Sequence, residues 1–410
     1  MFKNDQPQVH PSTYVRIAQL QSSALFPSLR HLYYDLDDRS ISHIFLFQSP
    51  LLDSFELINI RGFENAIVGP FLATISPQML TRIVLRSGRM TVDILKRYIV
   101  HFKQLRSLEL SDAVSTNNFV LWEIVGTLPF LANFTLKAID PESHPAHAPE
   151  KSNSQGGGPK YFDALESLCV TGSFFLIQHL LGFIDSPYLK SIEVNPLIDH
   201  FHNDSEYEHM HEPEDLFTPS MTIVTSKWSQ SVKNLVIGSS SSVRYPISKC
   251  LKMLTVLHEM QTFQLKCWKM ENTDDDVRCL VMSWPKLGTL KLPLNQTFIP
   301  LSTLRIIAEK CPELRLLHIR LNNSTATLPF DTSSNSLHHN LEVLIVGRGH
   351  SSTSITKTML ESQIQVAQYL DSIFPHLKSL QARPNLKNVT CQWSTIHNLL
   401  KLCQNARQVK

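Results

Sequence analysis

A chain of 410 residues that is 42% hydrophobic and 18% charged can bury a large core, which excludes general disorder. Its formal charge of +2 lacks the basic excess that would draw nucleic acid or an anionic membrane. Seven scattered cysteines, odd in number and never spaced C-x-x-C, exclude a disulfide scaffold and a zinc knuckle and predict a reducing cytoplasmic or nuclear setting.

The opening MFKNDQPQVHPSTYV has no apolar run behind its charges, so no secretory leader is predicted, and residues 1–25 read as a segment ahead of the first repeat. From Phe26 one phrase returns along the chain, P-x-L-x-x-φ-x-φ with φ apolar. It is FPSLRHLYY at Phe26, SPLLDSFEL at Ser49, LPFLANFTL at Leu128 and SPYLKSIEV at Ser186. It is WPKLGTLKL at Trp284, CPELRLLHI at Cys311 and FPHLKSLQA at Phe374. Without the proline, MLTRIVL, QLRSLEL, ALESLCV, SVKNLVI, EMQTFQL and NLEVLIV keep the same phase. The anchors are Leu29, Leu52, Leu80, Leu105, Leu131, Leu165, Leu189, Val232, Met260, Leu287, Leu314, Leu341 and Leu377, spaced 23, 28, 25, 26, 34, 24, 43, 28, 27, 27, 27 and 36. Apolar triplets alone recur by chance at this composition. The proline two residues ahead of seven anchors is what makes the repeat specific.

One unit makes physical sense. Proline ends a helix and admits an extended segment, and the last two apolar positions, two apart, share one face of a strand. Between strands, TNNFVLWEIVGTL from Thr116, TDDDVRCLVMSW from Thr273 and ESQIQVAQYLDSIF from Glu361 carry apolar residues at helical spacing. The run Phe174 to Ile184 is too short to span a bilayer. A strand and a helix per coil cannot bury their apolar faces alone, whereas stacked coils can. The predicted fold is therefore α/β. It is a leucine-rich-repeat-like solenoid, a horseshoe over 26–410 with parallel strands on the concave face and helices on the convex face.

Two intervals break the period. Residues 139–160, IDPESHPAHAPEKSNSQGGGPK, are predicted to be a loop, and GGGPK lacks the frame of a phosphate-binding loop. Residues 196–220 set His200, His202, His209 and His211 among seven carboxylates between Asp199 and Asp215. Such ligands suit zinc, while such a composition also suits a solvated acidic loop. No G-x-S-x-G or H-E-x-x-H occurs, and the G-x-G of VLIVGRGH lacks its third glycine. Cys311, at a helix end, is expected in the core. No cofactor is predicted.

The C-P-x-L-x-x-L-x-L wording at Cys311–Ile319, with its aromatic-Pro-x-L variants, resembles the irregular repeats of fungal F-box/leucine-rich-repeat proteins over roughly residues 20 to 400. That resemblance implies a ubiquitin-ligase receptor whose repeats select a target while an F-box docks on the cullin-RING adaptor. The L-P-x-E-like opening of an F-box does not precede Leu29, so adaptor docking is not expected from these residues. STYVRIAQLQSSALFPSL resembles the linker helix ahead of the first repeat, and the buried-Asn position falls at Asn295 and Asn322.

Counting each anchor as the first position, the third, fifth and seventh residues should face outward. The polar and aromatic members are Tyr33, Glu56, Arg82, Arg86, Glu109, Lys137, Glu193, Lys266, Lys291, His318 and Arg320. Arg and Tyr dominate interface energetics, which puts Tyr33, Arg82, Arg86 and Arg320 first. The expected function is non-catalytic recognition of a protein on the concave face, without nucleic acid or membrane. The alternative is a metal-binding protein or enzyme built on residues 199–215.

Overall fold

In the computed structural model the P-x-L phrase folds as a tight turn. The anchor N–H groups of Leu29, Leu52, Leu131, Leu287, Leu314 and Leu377 each donate to the carbonyl three residues back. Proline thus takes the second turn position, where its fixed φ is already correct. It also follows a helix end: the helix Leu301–Lys310 closes at Cys311, one residue ahead of Pro312. The third turn position, the x of P-x-L, points away from the core.

The structure describes residues 13, 16–17, 20, 24–36, 41–60, 65–87, 92–111, 119–138, 161–197, 213–238, 248–266, 274–292, 298–322, 339–347, 358–382 and 387–408. The chain divides into two units, Met1–Leu189 and Lys190–Lys410. In the first, β1 (His31–Asp35), β2 (Ser54–Ile60), β3 (Arg82–Ser87), β4 (Ser107–Ser111), β5 (Asn133–Lys137) and β6 (Ser167–Gly172) lie side by side in chain order, all parallel. A 3₁₀ turn at Ile41–Phe47 and helices α1 (Asn65–Thr74), α2 (Val92–Ile99), α3 (Phe119–Gly126) and α4 (Phe174–Phe183) occupy the returns.

In the second unit β7 (Ser191–Pro196), β8 (Asn234–Ile237), β9 (Thr262–Leu265) and β10 (Thr289–Lys291) run in order. The short β11 (Ile299–Pro300) follows, and then β12 (Leu316–Ile319), the short β13 (Leu321–Asn322), β14 (Val343–Val346) and β15 (Ser379–Ala382). The main sheet here is β7-β8-β9-β10-β12-β14-β15, again parallel, with β11 and β13 paired as a separate ribbon. The returns carry α5 (Pro213–Trp228), α6 (Ser248–Leu254), α7 (Asp274–Ser283), α8 (Leu301–Lys310) and α9 (Thr358–Ile373), and α10 (Lys387–Gln408) follows the last strand. Each unit is a parallel α/β solenoid of the leucine-rich-repeat type.

One backbone device locks each step of the register. The carbonyl just after an anchor accepts two N–H groups from the next coil: Arg30 from Asp53 and Ser54, Asp53 from Thr81 and Arg82, Thr81 from Arg106 and Ser107. In the second unit Lys233, Gln261, Gly288, Arg315 and Glu342 do the same. A one-residue slip would cost these bonds and turn every core side chain outward.

Twelve of the thirteen anchors are buried; Leu29, on the first coil, is half-buried. Above them lie aligned rows such as Leu32, Phe55, Ile83, Leu108, Phe134 and Leu168. Helix aromatics close over the rows. Phe71 packs edge-on to Phe55 at 6.0 Å, Trp122 to Phe134 at 6.1 Å, and the Trp284 ring lies 5.0 Å from Phe263.

A further device lies at or beside the residue ahead of the turn, which reaches back to a carbonyl of the preceding coil. Ser49 Oγ donates to Pro27 O at 3.1 Å and Ser186 Oγ to Leu165 O at 2.7 Å. Trp284 Nε1 donates to Leu254 O at 3.2 Å, and the Cys311 thiol to Trp284 O at 3.5 Å. His339 Nε2 donates to Cys311 O at 2.8 Å while its Nδ1 accepts from Leu341 N at 3.1 Å. The shared property is a buried donor, as buried carbonyls require.

Burial pushes the Cys311 thiol up to about 12, so it is a packing group and not a nucleophile. Brief alkylation near pH 8 is expected to modify the exposed Cys279 and to spare Cys311 until the chain is unfolded, read by peptide mass spectrometry. Equal labelling of both would contradict the packing.

Several expectations change. The last part of interval 196–220 is not loop: Pro213–Trp228 is a helix, because Phe217, Met221, Val224 and Trp228 fall at i, i+4, i+7 and i+11 and are buried. Asn322 is exposed and belongs to the β11–β13 ribbon, so it does not fill the buried-Asn position. Asn295 and the loop 139–160 lie outside the described residues, as does most of 1–25, where Thr13, Arg16, Ile17 and Leu20 are helical.

Candidate functional site

Strand alternation sends every second side chain to the face opposite the core, and the parallel register lines these up. In the first unit one row is His31, Ser54, Arg82, Ser107, Asn133 and Ser167, and the next is Tyr33, Glu56, Val84, Glu109, Thr135 and Cys169. All of the predicted outward residues of this unit stand on this open face.

Register brings four of them into one charge ladder. Arg86 Nη1 lies 3.1 Å from Glu56 and its Nε 3.3 Å from Glu109, and Lys137 Nζ lies 3.6 Å from Glu109. Ser111 Oγ adds a 3.5 Å bond to the same carboxylate. Two cations and two carboxylates cancel. Each pair sets an exposed cation on a half-buried carboxylate and stabilises by about 0–1 kcal/mol, so the ladder orders the surface more than it holds the fold.

Beside the ladder, over β1 to β3, is a cavity of about 260 Å³. Leu32 and Phe55 floor it, and Tyr33, Glu56, Arg82 and Val84 wall it with His31 and Ser54, whose Nδ1 and Oγ lie 2.7 Å apart. Tyr33 is 64% exposed. Arg82 is exposed and has no ion-pair partner among the described residues. Because Glu56 is held by Arg86, Arg82 is left without a counter-charge among the described residues, next to an aromatic ring and an apolar floor. Sequence counting alone misses His31, Ser54 and Val84 as cavity walls, although the same third- and fifth-position rule points to all three.

In the second unit Lys266 Nζ binds Glu193 at 2.7 Å, and Asn195 Nδ2 donates to the same carboxylate at 3.3 Å. Lys291 and His318 are register neighbours on β10 and β12. The Arg320 guanidinium lies 4.6 Å from the Phe298 ring centre. These predicted residues are therefore largely engaged with the protein itself, whereas Tyr33 and Arg82 are presented to solvent. Among the described residues no three His, Cys, Asp or Glu side chains are grouped to hold a metal ion, and no helix is long and apolar enough to cross a membrane. His200, His202, His209 and His211 lie outside the described residues.

No protein-family model matches the chain, and no curated protein matches it. Among solved structures, the chain is similar to an internalin of Listeria monocytogenes at 11% identity and a TM-score of 0.44, covering 92% of this chain and 88% of that one. It is similar to a protein of Bacteroides fragilis at 13% identity and a TM-score of 0.37, covering 67% and 76%. Neither is described as an F-box protein. The assignment of the fold rests on the strand order and register above.

Proposed function

We propose that this chain is a non-catalytic protein-recognition module that receives its partner on the open sheet face of the first unit. The observation that carries the reading is the cavity in which Arg82, without an ion-pair partner among the described residues, stands beside the exposed Tyr33. Charge complementarity defines the occupant as a protein segment presenting a carboxylate next to an apolar side chain. The carboxylate meets Arg82, and the apolar group covers Tyr33 above the Leu32 and Phe55 floor. With Glu56 on its wall, the cavity offers a single cation and favours a monocarboxylate over a dianionic phosphate group. The likeness of the repeat wording to F-box receptors supports the target-selecting half of such a receptor as the biological role. The scattered cysteines support a cytoplasmic or nuclear site of action.

Proximity labelling in cells should compare wild type with Arg82→Glu, Tyr33→Ala and a second-unit control, Lys291→Glu. Labelled proteins that bind purified wild-type chain directly are then measured by calorimetry. Hot-spot truncations cost about 2 kcal/mol or more, so Arg82→Glu is expected to weaken such binding at least about 30-fold and the control to leave it unchanged. Amidating the partner's carboxylate should reproduce the loss. A partner list and affinities indifferent to Arg82 and Tyr33 would overturn this placement.

A further inference from the structure

The x position of each turn is the outermost point of its coil, and its chemistry differs between the two units. In the first unit four of its seven occupants are large and apolar, Leu51, Met79, Phe130 and Tyr188, exposed by 39%, 45%, 49% and 59%, and the others are Ser28, Gln104 and Ala164. In the second unit the equivalent residues are Ser231, Glu259, Lys286, Glu313, Asn340 and His376, all polar, with Lys286 Nζ 2.7 Å from Glu259. The same turn geometry therefore tolerates charge, and nothing in the fold demands apolar side chains there. Four large apolar groups on one edge of one unit mark a surface that something covers.

The flanking charges say what covers it. The row runs Met79, Gln104, Phe130, Ala164, Tyr188 over five successive coils, about 19 Å at ~4.8 Å per strand. One coil to one side of Phe130 the flanks are Lys103 and Arg106; one coil to the other side they are Asp163 and Glu166, and all four are exposed. Basic and acidic flanks lie at equal distances on either side of an aromatic centre.

We infer that this edge is a self-docking surface for a second copy of the chain, with a twofold axis at Phe130. The axis places Phe130 on its copy, Met79 against Tyr188 and the small Ala164 against Gln104. The axis lies in the contact plane and across the row, so each flank keeps its own side: Lys103 meets Asp163 of the copy and Arg106 meets Glu166. A symmetric contact repeats each pairing twice, so one complementary set serves the whole interface. The stripe is narrow, which puts the dimer at the small, reversible end of protein interfaces. This surface is separate from the Tyr33–Arg82 cavity, and its test is independent of that reading.

Sedimentation equilibrium of the full chain is the experiment. The weight-average mass should climb from 46.7 kDa toward twice that value as concentration rises, and less so at high salt. Phe130→Asp should stay monomeric over the same range with an unchanged circular dichroism spectrum. Lys103→Glu should weaken association at least about tenfold, and adding Asp163→Arg should restore it, as coupled partners do. A chain that stays at 46.7 kDa at all concentrations, or a dimer indifferent to Phe130→Asp, would overturn the inference.

Discussion

Trp284→Ala is expected to destabilise the second unit by about 3–5 kcal/mol, the range for losing a large buried aromatic. Trp284 is fully buried against Phe263, and its Nε1–H is the bond that ties its coil to Leu254 O. The substitution opens a cavity and takes from that carbonyl its side-chain donor, leaving it the Leu257 N–H alone. Trp284→Phe separates the two contributions: it keeps most of the packing and loses only the donor, at about 0.5–1.5 kcal/mol. Urea unfolding followed by circular dichroism reads both. A Phe variant as unstable as the Ala variant would mean that the hydrogen bond, and not the ring, dominates.

His339→Leu is expected to cost about 1–3 kcal/mol, since it strands the buried Leu341 N–H and takes from the Cys311 carbonyl one of its two donors, the other being the Leu314 N–H. The imidazole serves both only when neutral, with the proton on Nε2 and the Nδ1 lone pair facing Leu341. Burial holds this group below its ordinary value, although its bond to Cys311 O pulls the other way. The sign of the pH effect follows. Above the unfolded value near 6.5 both states are neutral and the contribution is complete. As pH falls below it the unfolded chain takes up a proton that the folded chain resists, so stability drops until the folded group also titrates. Wild type should therefore lose stability between neutral and mildly acidic pH by more than His339→Leu does. Identical pH slopes for the two would contradict the tautomer assigned here.

The repeat was legible because its determinants are local. Proline, an anchor and two alternating apolar residues lie within eight positions, and they reappear as turn, anchor and strand at each coil. The outward residues followed from alternation alone. Other features need partners 20 to 40 residues away in sequence. The Arg86 ladder joins strands β2 to β5, and the cavity joins β1 to β3, so only register reveals that, among the described residues, Arg86 is ion-paired and Arg82 is not. The donors that tie coils together hide because Ser49, Ser186, Trp284, Cys311 and His339 share hydrogen-bonding capacity and little else. Helix Pro213–Trp228 was obscured by the His- and acid-rich residues ahead of it and by Pro219 within it, although its buried stripe has ordinary helical spacing.

Each functional statement above requires consecutive coils to stack in register, one strand per coil. Pulsed dipolar spectroscopy measures this directly, with nitroxides carried on unnatural amino acids so that native cysteines stay in place. His31, Ser54 and Ser167 share one row of the first unit, and Ser191 and Ser379 one row of the second. At ~4.8 Å per strand the Ser54–Ser167 pair should give about 19 Å, the His31–Ser167 pair about 24 Å and the Ser191–Ser379 pair about 29 Å. Distances that fail to grow by roughly one strand spacing per coil, within about 5 Å, would contradict the stacked-coil architecture and the recognition face built on it.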